Sequence, residues 1–237
     1  MTKDNKFCFI ICTNNELYLR ESIHYICHLH VPDGYEVEVL TVADAESMTA
    51  GYNEAMLQSD AKYKIYMHQD VFLINKNILN DILEIFLSDE EIGLIGCVGY
   101  ETVSVDGIMW HENRKGKIFK ADGEKYPEYT TYRYSKEKDG YYQVALIDGL
   151  FMATSRDLVW NRELKHWDFY DVFQSISFLE NGYKNVVPVQ RYPWCIHDDN
   201  KILNLIHYDQ YRRLFMKKYE NILGKNVLQI QQMLRRG

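Results

Sequence analysis

Four short stretches of this chain carry residue types whose spacing could do chemistry together. The first is His68-Gln69-Asp70, which follows the largely apolar and aromatic stretch Tyr63 to Met67. That run has the pattern of a short buried strand, so His68 and Asp70 stand at its C-terminal end, where open α/β sheets bind ligands. Two residues apart, they can both face one metal-bound diphosphate. Mg²⁺ and Mn²⁺ accept carboxylate and phosphate oxygens and keep several waters, so one Asp plus a diphosphate suffices for weak, substrate-assisted binding. A polar strand end with a turn-forming Asp fits the same residues.

The other three stretches follow later in the chain. Asp148-Gly149 lies between two apolar runs, and a glycine there permits a positive φ or the close approach of a ligand; a plain tight turn has the same signature. Asp171 sits in the first turn of a helix whose inward stripe is Val172, Phe173, Ile176 and Leu179. A helix N-terminus favours an ionised carboxylate, and an ionised carboxylate at a cleft can take a proton from an attacking hydroxyl. Dipole compensation by Asp168 and Asp171 is the simpler alternative. Trp194 to Asp199 ends a further strand, so His197 can serve as a second metal ligand oriented by Asp198 or Asp199.

The elements that must position these groups alternate. Strands are expected at Phe7–Cys12, Tyr35–Val42, Tyr63–His68 and Ile92–Val98. Between them fall helices at Glu16–His30, from Ser47 as cap to about Ser59, and at Asn75–Leu87. This order implies an α/β fold with a mostly parallel sheet built from right-handed crossovers and flanked by helices. Residues 99–142 are rich in Gly, Lys, Glu and Tyr and lack periodicity, as expected of long loops or a small hairpin insertion. Strands then return at Gln143–Ile147, Phe151–Thr154, Lys184–Gln190 and Pro193–His197. Two basic helices, about Ile202–Ile222 and Val227–Arg235, close the chain.

Composition sets the outer bounds. The 237 residues are 46% hydrophobic and 26% charged, enough for one large domain with a full core. The net charge of −7 argues against a general nucleic-acid binder. It is uneven: eight Lys/Arg against two acids after residue 200 leave about +6 there and about −13 on the remainder. A solvated helix face or a contact with anionic lipid would both explain such a tail. The five cysteines form no CxxC and read as buried free thiols, and neither a signal-peptide core nor an 18-residue apolar run is present. The expected location is cytoplasmic, with the tail offering a peripheral contact at the inner membrane face.

Taken in order, these segments resemble the glycosyltransferase family 2-like proteins of the GT-A nucleotide-diphospho-sugar fold. The resemblance runs from Phe7 to about His197 and is carried by CTNN after the first strand, Ala43-Asp44-Ala45, AGYNEA, HQDV, IDGLFMA and FYDVFQSISFLENGYKNV. An HQDV-bearing branch is the best match. The resemblance implies a GT-A domain over residues 1–200, a loop or insertion on the acceptor side at 99–142, and a helical extension at 201–237. It implies a nucleotide-sugar donor and a divalent cation, Mn²⁺ or Mg²⁺, with a saccharide or lipid-linked acceptor and inversion at the anomeric carbon.

By the same resemblance, Asp70 matches the metal-binding Asp of the family's DxD motif, and His68 replaces the first Asp. Asp171 matches the catalytic base of an acidic pair whose first member is here Tyr170, while a later Asp of that motif falls on Phe173. Asp44, with Glu46 as rival, matches the acid that meets the nucleotide base, and His197 matches an additional metal ligand. Asp148 and Gly149 fall on the donor pocket, and Asn53 would support the nucleotide pocket or the Asp70 loop. Trp110, Tyr126, Tyr129, Tyr132 and Tyr134 would stack on sugar rings or cover a sheet edge. A non-catalytic nucleotide-sugar or glycan-binding module is the main alternative, kept open by His68, Tyr170 and Phe173. A nucleotidyltransferase would want a Gly-rich basic loop where this chain has Thr13-Asn14-Asn15.

Overall fold

The computed structural model describes residues 2–121, 128–129, 140–199 and 205–235. The chain opens with β1 (Lys3–Thr13), α1 (Glu16–Ile26), β2 (Glu36–Ala43), α2 (Met48–Gln58), β3 (Ala61–Met67), β4 (Val71–Leu73), α3 (Ile78–Ser88) and β5 (Ile92–Gly96). Residues Phe7–Ile11 of β1 are fully buried, as their unbroken apolar run requires of a strand covered on both faces. Asn15 caps α1 by accepting from the Leu17 and Tyr18 N–H groups, and Ser47 caps α2 through the Ala50 N–H. The first helix ends at Ile26, earlier than periodicity suggests, and α3 starts at Ile78 because residues 75–77 form a turn.

Beyond β5 come β6 (Val98–Tyr100), β7 (Arg114–Gly116), β8 (Phe119–Lys120), β9 (Glu128–Tyr129), β10 (Tyr141–Val144), β11 (Leu146–Ile147) and β12 (Phe151–Thr154). The chain continues through α4 (Tyr170–Glu180), β13 (Lys184–Pro188), β14 (Cys195–His197), α5 (Tyr208–Lys218) and α6 (Val227–Leu234). The expected strand Ile92–Val98 is broken at Cys97, and Gln143–Ile147 divides into the ends of β10 and β11.

The central sheet has the order β10-β13-β5-β12-β3-β1-β2. Its β1–β2, β1–β3 and β13–β5 pairs are parallel, whereas β12 inserts antiparallel between β3 and β5. Two small sheets, β4-β14-β8-β9 and β11-β6-β7, sit beside it. Among the described residues of the region expected to be irregular, the end of β6 and the short strands β7, β8 and β9 join these two sheets.

The C-terminal helices are built into the main core. Tyr211, Phe215, Tyr219, Ile222, Val227 and Ile230 are buried in the same cluster as the sheet. Phe173, at the position of the missing motif Asp, packs edge-on against Phe215 and Tyr219 with ring centres 5.6 and 5.7 Å apart. Phe173 is thus a core residue here, with the Lys218 ammonium over its ring. Four of the five cysteines are buried thiols; Cys27 is exposed, contrary to expectation, at the C-terminal end of α1. Among the described residues no helix is long and apolar enough to cross a membrane.

Candidate active site

The strand β3 ends at Met67, and the next three residues turn the chain into β4. Gln69, the middle residue of HQD, fastens this turn to the loop after β1. Its Oε1 accepts from Thr13 Oγ1 and from the Asn14 and Asn15 N–H groups at 2.8, 3.0 and 2.9 Å, and its Nε2 donates to Asn14 Oδ1. The loops at the ends of β1 and β3 are thereby locked together, with His68 and Asp70 on either side of the clip.

His197 arrives by strand pairing. β14 runs antiparallel to β4 with His197 opposite Val71, and the Asp198 N–H donates to the Asp70 carbonyl. His197 Nε2 then stands 3.6 Å from Asp70 Oδ1, and His68 Nδ1 stands 3.8 Å from the same oxygen. Ligand atoms of these three residues all lie within 4.8 Å of one another. Asp70 Oδ1 is buried and accepts no hydrogen bond among the described residues. An orphaned carboxylate oxygen between two imidazole nitrogens fits a divalent cation, which would satisfy all three at once. Burial raises the Asp70 carboxyl, but His197 and His68 outweigh it and hold the group below its ordinary value. His197 is raised: burial opposes its proton, and Asp70 prevails. His68 is lowered, chiefly by burial.

On the other side of His68, α4 begins. Phe169, with φ of 63° in the left-handed region, makes the sharp turn into it, its ring packed 4.8 Å from Tyr208 of α5. A bulky residue in that conformation is strained and persists only where packing holds it, here beside the site. Asp171, 7% exposed, follows in the first helical turn. Its two oxygens accept from the Gly149 and Val172 N–H groups at 2.9 and 2.8 Å. Burial, then the Asp148 carboxylate, push Asp171 up to about 7 against the pull of those N–H groups. This corrects the expectation that the helix dipole keeps it ionised: desolvation is the larger effect, and the group is poised to exchange a proton near neutrality.

Two cavities meet at His68 and Trp167. One, about 220 Å³, is lined by Cys12, Thr13, Asn14, Met48, Gln69 and Asp70 besides those two. The other, about 390 Å³, holds Asp148, Asp171, Trp110, Arg114, Lys120 and Tyr208 among its walls. Metal-competent groups therefore lie at the junction, with Asp171 beyond it in the larger space. Trp110 and Trp167, 45% and 47% exposed, border that larger cavity. Trp110, expected to stack on a sugar or to cover a sheet edge, lines this cavity. Asp199, named from the sequence as a group that could orient His197, also lines this cavity. Trp167, Arg114 and Lys120 were not singled out, since each reads as a surface residue until the fold brings it to the rim.

Other expected residues fall differently. Asn53 lines neither cavity: it exchanges hydrogen bonds with the Trp160 backbone, joining α2 to the loop before α4. Asp44 is exposed just past β2 with φ of 55°, and neither it nor Glu46 lines either cavity. Gly149 does permit a close approach, but by Tyr170: a Cβ there would overlap the tyrosine hydroxyl and ring. Gly149→Ala is accordingly expected to displace Tyr170 and cost about 1–3 kcal/mol, read as a lower melting temperature. An unchanged melting temperature would show that the helix entrance adapts freely. The side chains of Tyr126, Tyr129, Tyr132 and Tyr134 lie outside the described residues.

A mixed sheet with a metal-competent cluster and a buried carboxylate at its strand ends is the arrangement of a GT-A glycosyltransferase domain. The sequence model described as "Glycosyltransferase like family" matches residues 8–219, and the chain belongs to that family. No curated protein matches it in sequence. Among solved structures it is similar to S. aureus TarS 1–349 in complex with UDP, at 13% identity and TM-score 0.59, covering 92% of this chain and 66% of that one. It is similar too to the mannosyltransferase PcManGT from Pyrobaculum calidifontis in complex with GDP-Man and Mn²⁺, at 13% identity and TM-score 0.58, over 99% and 69% of the two chains. GalNAc-T7 with UDP, GalNAc and Mn²⁺ shares 11% identity at TM-score 0.54, over 81% of this chain and 44% of the other. The chain thus spans just under two thirds of the TarS fragment, and these likenesses establish its fold.

Proposed function

We propose that this protein transfers a hexosyl group from a nucleoside-diphosphate sugar to a hydroxyl of a saccharide or lipid-linked acceptor, with inversion. The observation that carries the reading is the placement of Asp171 and the His68–Asp70–His197 cluster around two cavities that meet. In this reading the smaller cavity takes the nucleoside diphosphate and the larger takes the acceptor. A divalent ion held by Asp70 and His197 would supply Lewis-acid stabilisation of the departing diphosphate. Asp171 accepts the proton of the attacking hydroxyl, and the Gly149 and Val172 N–H groups fix its carboxylate. Trp110 and Trp167 offer flat faces to the apolar side of sugar rings. The reaction is placed on the cytoplasmic side, where the basic C-terminal helices can rest against the inner membrane face.

The test is incubation with Mn²⁺ and a panel of UDP- and GDP-sugars, with and without candidate acceptors, detecting released nucleoside diphosphate. Metal-dependent release names the donor and supports the reading. Nucleotide binding without turnover under all conditions would favour a binding module, and absence of both would remove the donor-site assignment.

A further inference from the structure

His68 and Tyr170, two residues where this chain departs from its family's motifs, lie 102 positions apart and touch: the Tyr170 hydroxyl shares a hydrogen bond with His68 Nε2. The other ring nitrogen, Nδ1, faces Asp70 Oδ1. Which nitrogen of an imidazole can bind a metal is set by the bond the other makes. With Nε2–H donated to the tyrosine oxygen, the Nδ1 lone pair is directed at the place where Asp70 and His197 converge. Tyr170 is held there from behind, because Gly149 leaves no side chain between them.

We propose that His68 is a third metal ligand, through Nδ1, positioned by Tyr170, and that the resulting His-Asp-His site takes a first-row transition-metal ion before nucleotide arrives and discriminates against Mg²⁺. The inference rests on the glycosyl-transfer reading only in taking this ion to be the one that meets the donor diphosphate. The physical reason is ligand type and number. A lone carboxylate depends on the diphosphate to complete a weak site, whereas three protein ligands hold an ion unaided. Two imidazole nitrogens suit transition metals, while Mg²⁺ requires oxygen ligands in near-ideal octahedral geometry and gives up its water reluctantly.

The experiment titrates Co²⁺ into the metal-stripped full chain without nucleotide, following visible absorption, with Mg²⁺ as competitor. One equivalent of Co²⁺ is expected to bind with a spectrum of nitrogen coordination, undisturbed by a hundredfold excess of Mg²⁺ (roughly the preference that nitrogen ligands impose). Tyr170→Phe should weaken Co²⁺ about 10–100-fold and alter the spectrum while melting near the wild-type temperature. His68→Asp, which puts an aspartate where the family's motif has one, should weaken Co²⁺ and let Mg²⁺ compete. Co²⁺ uptake that requires added UDP or GDP, or variants with unchanged affinity and spectrum, would overturn the ligand assignment. Nucleotide binding is titrated separately. The expected Co²⁺ behaviour in a chain that binds neither UDP nor GDP would overturn the glycosyl-transfer reading and support the ligand assignment.

Discussion

Asp171→Asn is expected to reduce sugar transfer by ~10²–10⁴-fold while metal and nucleotide binding persist. The substitution preserves shape and one acceptor oxygen, so the Val172 or Gly149 N–H keeps its partner and α4 keeps its first turn. What is lost is the capacity to take a proton from the acceptor. The pH dependence gives a second check. With Asp171 raised to about 7, the wild-type rate should climb with pH through neutrality and level off above it. Stability moves the opposite way. Between the ordinary carboxylate value of 3.8 and about 7 the folded protein keeps a proton that the unfolded chain has released, so this group's contribution falls as pH rises through that window. Asp171→Asn should remove both the acid limb of the rate and that slope in melting temperature. A variant with full activity would show that another group, or the solvent, receives the proton.

Asp70→Ala is the second large effect: donor turnover should fall by at least about 10²-fold, because the metal's Lewis-acid contribution is worth several kcal/mol. The carboxylate is the group to which both imidazoles of the cluster point, and its removal leaves two histidines with nothing to hold them on one ion. Chelation of the wild-type protein should reproduce the loss, and Mn²⁺ should restore the wild type alone. Folding should tolerate the change, since Asp70 Oδ1 makes no hydrogen bond among the described residues and the β4–β14 pairing is carried by backbone. Measured together, retained melting temperature with abolished metal response separates a ligand from a structural residue. Turnover indifferent to both chelator and Asp70→Ala would end the metal-assisted reading.

Much of this architecture was legible in the sequence because it is local. Unbroken apolar runs gave β1 and β5 as buried strands, and the apolar and aromatic residues around Lys64 gave β3. Ser47 stood where a helix cap belongs, and period-3.6 stripes placed α3 and α4. Strand-end position alone singled out Asp70 and His197, and first-turn position singled out Asp171. The reversed direction of β12 and the separation of β5 from β6 left no comparable trace, since a short apolar strand reads the same whichever way its neighbours run.

What only the tertiary structure decided is who meets whom. The antiparallel register of β4 and β14 sets His197 beside Asp70, and the packing of α5 against Phe169 and Phe173 fixes the entrance of α4. Through the gap left by Gly149, Tyr170 reaches His68. Read one at a time, His68, Tyr170 and Phe173 are three losses from a familiar motif. In the folded chain two of them form a pair and the third is core. Residue type and local period are written along the chain, but contacts between distant positions depend on strand register and helix docking, which the core as a whole selects.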